Sequence, residues 1–237
     1  SIYGMPPLSL VIYTLAGGTL LAISANVMNQ VLEVETDKLM ERTSDRPIVT
    51  GELTKTNGII YSISSGLIGF LILYSLVTPL SSYIGLAANI FYVFIYTLIL
   101  KPRTNQNIVI GGASGAAPVL IGWTATGSEL ETGPWVLFLL VFMWTPAHFW
   151  ALSIENKADY KNAEFPMLPI QESYKRTCIF IGIYSCSTVL ISLVAAPILQ
   201  LGIIYLFVSI FFGVNLMYKA FNLYMKKIKP INYFIFS

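Results

Sequence analysis

Seven apolar runs dominate the chain, at about 8–28, 54–78, 80–100, 107–126, 134–155, 175–196 and 198–218. Each is close to the ~20 residues an α-helix needs to cross the hydrocarbon core of a bilayer. Lipid offers no water to a bare backbone N–H or C=O, so such runs must close their own hydrogen bonds as helices. Composition agrees: 55% of the 237 residues are apolar and 11% charged, with a mean hydropathy of +0.70. A soluble domain needs ~25% charged residues to solvate its surface. The aromatic share of 14% excludes disorder, and a net charge of +2 argues against a nucleic-acid partner. The expected fold is all-α, a polytopic transmembrane helix bundle whose first partner is the lipid bilayer. Ser1 is not an initiator Met, no basic segment precedes the first run, and 232–237 reads as the first turn of a further apolar helix. Both ends therefore read as clipped, and no signal peptide is visible.

Seven spans put alternate loops on alternate sides. The loops after the first, third, fifth and seventh runs, with the span ends that start from the same side, hold all 14 Lys and Arg. The opposite loops, at 78–82, 127–134 and 196–200, hold only Glu129 and Glu131 as charged groups. The positive-inside rule places the basic side in the cytoplasm or its equivalent and Ser1 outside. Chemistry on charged groups is expected on that inner face. Within the fourth span, 111–117 is a run of small residues that suits close helix packing. Pro118 and Pro146 fall mid-span, where a kink is expected. Cys178 and Cys186 lie ~12 Å apart if helical, too far for a disulfide.

The inner face carries three polar constellations. The first is Asn29, Glu33 and Asp37, spaced by four residues at the end of span one. If the helix continues, these side chains share one face, a set of oxygen ligands that suits Mg²⁺, which binds one or two carboxylates and completes its shell with water and phosphate. Arg42 and Arg46 follow, and guanidinium groups bind phosphate bidentately. A solvated loop with local ion pairs, such as Lys38 with Glu41, explains the same residues without a ligand. The second constellation closes span five with Glu155 and Asp159, beside Lys157 and Tyr160. Two acidic clusters with adjacent cations suit a two-metal clamp on a diphosphate, although a polar helix end needs no ligand. The third is the short loop 101–107, with Lys101, Arg103 and several amides. It suits an anion, or serves only as a topogenic positive loop. His148, the single histidine, lies about two turns before Glu155. A polar residue inside a span is a functional candidate, although a hydrogen-bonded structural histidine fits as well.

Together, the stretches 29–47 (NQVLEVETDKLMERTSDRP), 101–123 (KPRTNQNIVIGGASGAAPVLIGW) and 144–169 (WTPAHFWALSIENKADYKNAEFPMLP) resemble the UbiA superfamily of intramembrane prenyltransferases. Within it they are similar to the branch that farnesylates heme B to heme O. The resemblance implies a nine-helix bundle around a cavity, of which this chain holds seven complete spans and the start of another. It implies a single prenyltransferase domain over 1–237, capped by acidic loops at about 29–53 and 155–174. By the same resemblance, Asn29, Glu33, Asp37, Glu155 and Asp159 hold Mg²⁺ and are catalytic. Arg42, Arg46, Lys101, Arg103, Lys157 and Tyr160 bind the diphosphate of farnesyl diphosphate, and His148, Phe149 and Trp150 face heme B. The middle position of the first motif, usually Asp, is here Glu33, which keeps the carboxylate with a longer reach. The implied setting is a prokaryotic cell membrane or an inner mitochondrial membrane, with the site on the cytoplasmic or matrix face. A downstream heme A synthase or oxidase assembly factors are the implied protein partners.

Two other readings stay open on the residues. A sister prenyltransferase acting on a quinone precursor or chlorophyllide would keep the same acids and cations. A secondary transporter could pair acids across several spans, but transporters place coupling groups near the midplane, whereas the acids here crowd one rim.

Overall fold

The computed structural model describes residues 4–237. The placement of Ser1 on the outer side lies outside the described residues. Among them the chain is helical, with no strand. Seven helices are long and apolar enough to cross a membrane: α1 (Leu8–Leu32), α4 (Lys55–Leu76), α5 with its continuation (Pro79–Leu100), α6 (Asn107–Ala125), α7 (Thr132–Glu155), α10 (Tyr174–Ile198) and α11 (Ile203–Tyr224). Short helices lie between or after them: α2 (Val34–Asp37), α3 (Pro47–Thr50), α8 (Lys157–Asn162), α9 (Leu168–Gln171) and α12 (Pro230–Phe236).

Local chemistry explains several starts. Thr54, Thr78 and Ser173 cap α4, α5 and α10 by accepting from the backbone N–H of Asn57, Ser81 and Arg176. Pro79 and Pro230 sit at the first helical turn, where no intrahelical donor is lost. The seventh span starts later than its apolar pattern suggests, at Ile203 rather than 198. The reason is that Gln200 adopts a positive φ and the turn through Gly202 occupies the apolar Leu199 and Leu201. Helices α6 and α7 run on through Pro118 and Pro146. Cys178 and Cys186 are both free thiols.

The chain divides into two compact units, Ser1–Ile99 with Ala117–Glu131, and Leu100–Ala116 with Thr132–Ser237. In the first, α1 packs along α4. A Cβ added at Gly17 would stand 2.7 Å from Leu73 Cγ, and one at Gly69 would stand 2.8 Å from the Gly17 carbonyl oxygen. Only glycine at both positions lets the two backbones come this close. Within the small-residue run at 111–117, an added Cβ at Gly112 would meet Thr145 at an ordinary 3.4 Å and one at Gly115 would meet nothing within 4 Å, while Ala116 and Ala117 are buried. Leu21, Leu73 and Ile121 form the apolar centre of this unit. Asn89 Nδ2 donates to the Leu21 carbonyl at 2.9 Å, and Ser81 and Thr124 join hydroxyls at 2.8 Å. In the second unit α10 packs on both α7 and α11, and α12 on α7. There Tyr233 and Ser185 share a buried hydroxyl–hydroxyl bond of 2.6 Å.

After Ile90 the third span changes its winding and continues as a π-helix over Phe91–Leu100. Such winding is rare beyond a single turn and is concentrated at functional sites. It brings Thr97 Oγ1 within 2.9 Å of the carbonyl five residues back, at Tyr92. In an α-helix a threonine hydroxyl would bond three or four residues back.

Candidate functional site

The first acidic motif is built on a broken helix. α1 ends at Leu32, Glu33 sits at φ −102° and ψ 13°, and α2 resumes at Val34. The break corrects the expectation of a continuous helix, but the spacing survives it. Glu33 N–H donates to the Asn29 carbonyl at 2.9 Å and Asp37 N–H to the Glu33 carbonyl at 2.8 Å. All three side chains are buried: Asn29 is 5%, Glu33 7% and Asp37 0% exposed.

Each of the outer two is held by a partner outside its own helix, nine residues on for Asp37 and 68 for Asn29. Arg46 Nη1 donates to Asp37 Oδ2 at 2.6 Å. Thr43, itself buried, donates its hydroxyl to the Asp37 carbonyl at 2.9 Å, which closes the loop around buried Met40. Asn29 Nδ2 donates to Thr97 Oγ1 at 3.1 Å. A carboxylate removed from water carries a desolvation cost of several kcal/mol. The arginine and the turn of backbone around Asp37 offset that cost. Asp37 Oδ1, however, is buried with no hydrogen-bond partner. A buried anionic oxygen in that state is what a bound cation would satisfy.

Around this turn the remaining charges are solvated. Glu35 points off the acidic face and pairs with Lys38 at 2.9 Å and Lys55 at 3.6 Å. Lys38 thus pairs with Glu35, where the sequence suggested Glu41. The Lys38 hydrogen bond, followed by its charge, holds the Glu35 carboxyl below the usual glutamate range. Arg42 is exposed. Tyr92, on the π-helix, is close enough to Glu33, Asp37 and Arg46 to feel their charges. Neither Tyr92 nor Thr97 is among the residues the sequence points to. The signal was present, since both are polar groups inside an apolar span.

The second acidic motif, in the other unit, repeats the architecture with less cover. α7 ends at Glu155, Asn156 forms the break at φ −94° and ψ 28°, and α8 starts at Lys157. Glu155 and Lys157 are exposed, Asp159 is half-buried and Tyr160 is buried. In the inner loop Lys101 lies 4.6 Å over the ring of Phe165, a cation–π contact that holds the ammonium in place. Arg103 is exposed. Asn107 is fully buried, and its Nδ2 bonds the Lys101 carbonyl at 3.4 Å and Met167 Sδ at 3.5 Å.

The three candidates on α7 separate. Trp150 is 1% exposed and packs edge-on against Phe180 and Tyr184 of α10. His148 is half-buried between Trp144 and Phe234, with ring centroids at 4.4 and 4.1 Å, and Nδ1 lies 2.9 Å from Ser237 Oγ. Phe149 is exposed at 39%. Among the described residues no group of three or more His, Cys, Asp and Glu stands close enough to hold a metal by itself. Mg²⁺ binds one or two carboxylates and fills the rest of its shell with water and phosphate oxygens, so two buried carboxylates with a side-chain amide are compatible with a site that substrate completes.

Residues 1–235 match the UbiA prenyltransferase family. The chain is 40% identical over 223 residues to the protoheme IX farnesyltransferase of Paenarthrobacter aurescens (strain TC1), covering 94% of this chain and 70% of that protein. To the protoheme IX farnesyltransferase of Synechocystis sp. it is 41% identical over 221 residues, covering 93% and 70%. Among solved structures it is similar to a digeranylgeranylglyceryl phosphate synthase, with a TM-score of 0.78 at 18% identity over 98% of this chain and 81% of that one. It is also similar to a UbiA homolog from Archaeoglobus fulgidus bound to GPP and Mg²⁺, with a TM-score of 0.72 at 16% identity over 97% and 87%. At such identities the likeness is one of fold.

Proposed function

The chain belongs to the UbiA prenyltransferase family, and on that premise we propose that it transfers the farnesyl group of farnesyl diphosphate to heme B, giving heme O and diphosphate with the uptake of water. The observation that carries the reading is the buried Asp37, pinned through Oδ2 by Arg46 and left with Oδ1 unsatisfied, one helical turn beyond Glu33 and two beyond Asn29. The names of the relatives that share about 40% of its residues support heme as the acceptor.

Asn29, Glu33 and Asp37 would hold Mg²⁺, with Glu155 and Asp159 as the second acidic set. Bound there, the metal would neutralise the diphosphate as it leaves. Arg46 is anchored on Asp37 and keeps further N–H donors for phosphate oxygens. Arg42, Lys101, Arg103 and Lys157 add positive charge where the leaving group's negative charge develops, and the Tyr160 hydroxyl adds a hydrogen bond. The allylic cation left by ionisation is attacked by a vinyl group of the heme. The apolar spans hold bulk water away from that cation until the carbon–carbon bond has formed. His148 and Phe149 would contact the porphyrin, with Trp150 as the packed wall behind them. In this reading residues 1–237 act as one transmembrane prenyltransferase domain. It lies in a prokaryotic cell membrane or inner mitochondrial membrane, with its site on the cytoplasmic or matrix face. Its product would pass to a heme A synthase or to oxidase assembly factors.

The test is to incubate the full-length protein in membranes with heme B, farnesyl diphosphate and Mg²⁺ and weigh the heme. A mass gain of one hydroxyethylfarnesyl conversion, lost on chelation, is expected. Unmodified heme, with farnesylation of a quinone precursor or chlorophyllide supplied in a parallel incubation, would transfer the reading to a sister enzyme.

A further inference from the structure

We propose that Thr97 is a positioning residue for metal binding: it fixes which end of the Asn29 side chain faces the cation. The proposal rests on the reading of Asn29 as a metal ligand. An asparagine amide can present either oxygen or nitrogen, and only the oxygen binds a divalent cation. In this chain the choice is made by a relay of two hydrogen bonds. Thr97 Oγ1 has one proton, and it donates that proton to the Tyr92 carbonyl at 2.9 Å. Its remaining capacity is as an acceptor. Asn29 Nδ2 donates to it at 3.1 Å, so the amide N–H₂ is turned toward the π-helix. The Asn29 carbonyl oxygen is the atom left on the other edge of the amide.

Both side chains are buried, Asn29 at 5% and Thr97 at 4% exposure, so water does not compete for the bond. The π winding is part of the device. It sends the threonine proton five residues back along its own helix and so leaves the hydroxyl's lone pairs to the neighbour from α1. A hydroxyl with a free proton would serve either end of the amide and would not discriminate.

The test measures metal binding apart from turnover. The detergent-purified full chain is titrated with Mn²⁺ in the presence of farnesyl thiodiphosphate, an analogue that ionises slowly, and free Mn²⁺ is followed by electron paramagnetic resonance. Thr97→Val keeps the shape but removes the hydroxyl, and Thr97→Ala removes it with less demand on packing. Both should weaken Mn²⁺ by about 10-fold, the scale of losing a group that orients a metal ligand. Thr97→Ser should stay within about 2-fold of the parent, because the acceptor is restored. In an Asn29→Ala background, Thr97→Val should add nothing further. If Asn29→Ala weakens Mn²⁺ and neither Thr97 variant does, the positioning role is overturned while the metal site stands. If Asn29→Ala leaves Mn²⁺ affinity unchanged, the metal reading of Asn29 falls, and the role of Thr97 falls with it. A lower unfolding temperature in Thr97→Val at unaltered Mn²⁺ affinity would assign the hydroxyl to packing and also overturn the proposal.

Discussion

The two acidic turns share a design and differ in depth. Each is a long helix, a one-residue break and a short helix, with acids carried across the break. Around Asp37 every neighbour is committed: Arg46 on the carboxylate, Thr43 on the carbonyl, Thr97 on Asn29. Around Glu155 the side chains are exposed, and Asp159 is half-covered. A charge interaction screened by water is worth about a quarter of one at the effective dielectric of a protein boundary. A charge interaction made at the buried turn is therefore the stronger of the two, while one made at the open turn carries little cost in desolvation.

If depth sets importance, the largest contrast is in turnover. Asp37→Asn keeps shape but removes the charge, and activity should fall by about 10³-fold, while Glu155→Gln should cost about 10-fold or less. Equal losses at both positions, measured as heme product per minute with expression matched, would erase the distinction. The next contrast is in stability. Arg46→Ala strands the Asp37 carboxylate and should cost about 2–4 kcal/mol, less than a fully enclosed pair because Arg46 is partly solvated. Lys157→Ala, on an exposed side chain, should stay within about 0.5 kcal/mol. Thermal unfolding in one detergent checks both, and a stable Arg46→Ala would mean that Arg46 is not what offsets the burial of Asp37.

A smaller effect isolates the backbone brace. Thr43→Val removes one buried hydrogen bond to the Asp37 carbonyl and should cost about 1–2 kcal/mol by the same assay. No loss would show that water enters the turn and takes the hydroxyl's place. The smallest effect is at the rim. Lys38 depresses the Glu35 carboxyl, so the stabilisation from this pair is present at neutral pH. It fades as pH falls below the ordinary glutamate range, through the lower folded-state value. Lys38→Gln should return Glu35 to the ordinary range in a carbon-13 carboxyl titration with hardly any change in unfolding temperature. A large change there would make the exposed rim as important as the buried turn.

How far the sequence reaches is clearest at particular residues. The seven spans were legible because hydrophobic length is a local property, and the structure places them within a few residues of the apolar runs. The exception, the late start of α11 at Ile203, comes from a turn at Gln200 whose φ no hydropathy pattern records. The acidic spacing was legible too, since i to i+4 backbone bonds carry it through the break at Glu33. Where helices touch most closely was not. No run of small residues marks Gly17 and Gly69, which lie on different helices and become a close pair only when these pack.

By itself, then, the sequence determined the fold class, the spans, the concentration of charge in alternate loops and the two acidic motifs, all of them set by composition and short-range spacing. Tertiary structure decided which acid is buried, that Arg46 rather than a nearer cation holds Asp37, and that a threonine 68 residues away orients Asn29. Burial and hydrogen-bond direction depend on which helices meet and at what register. That is a property of packed surfaces, and no single helix carries it alone.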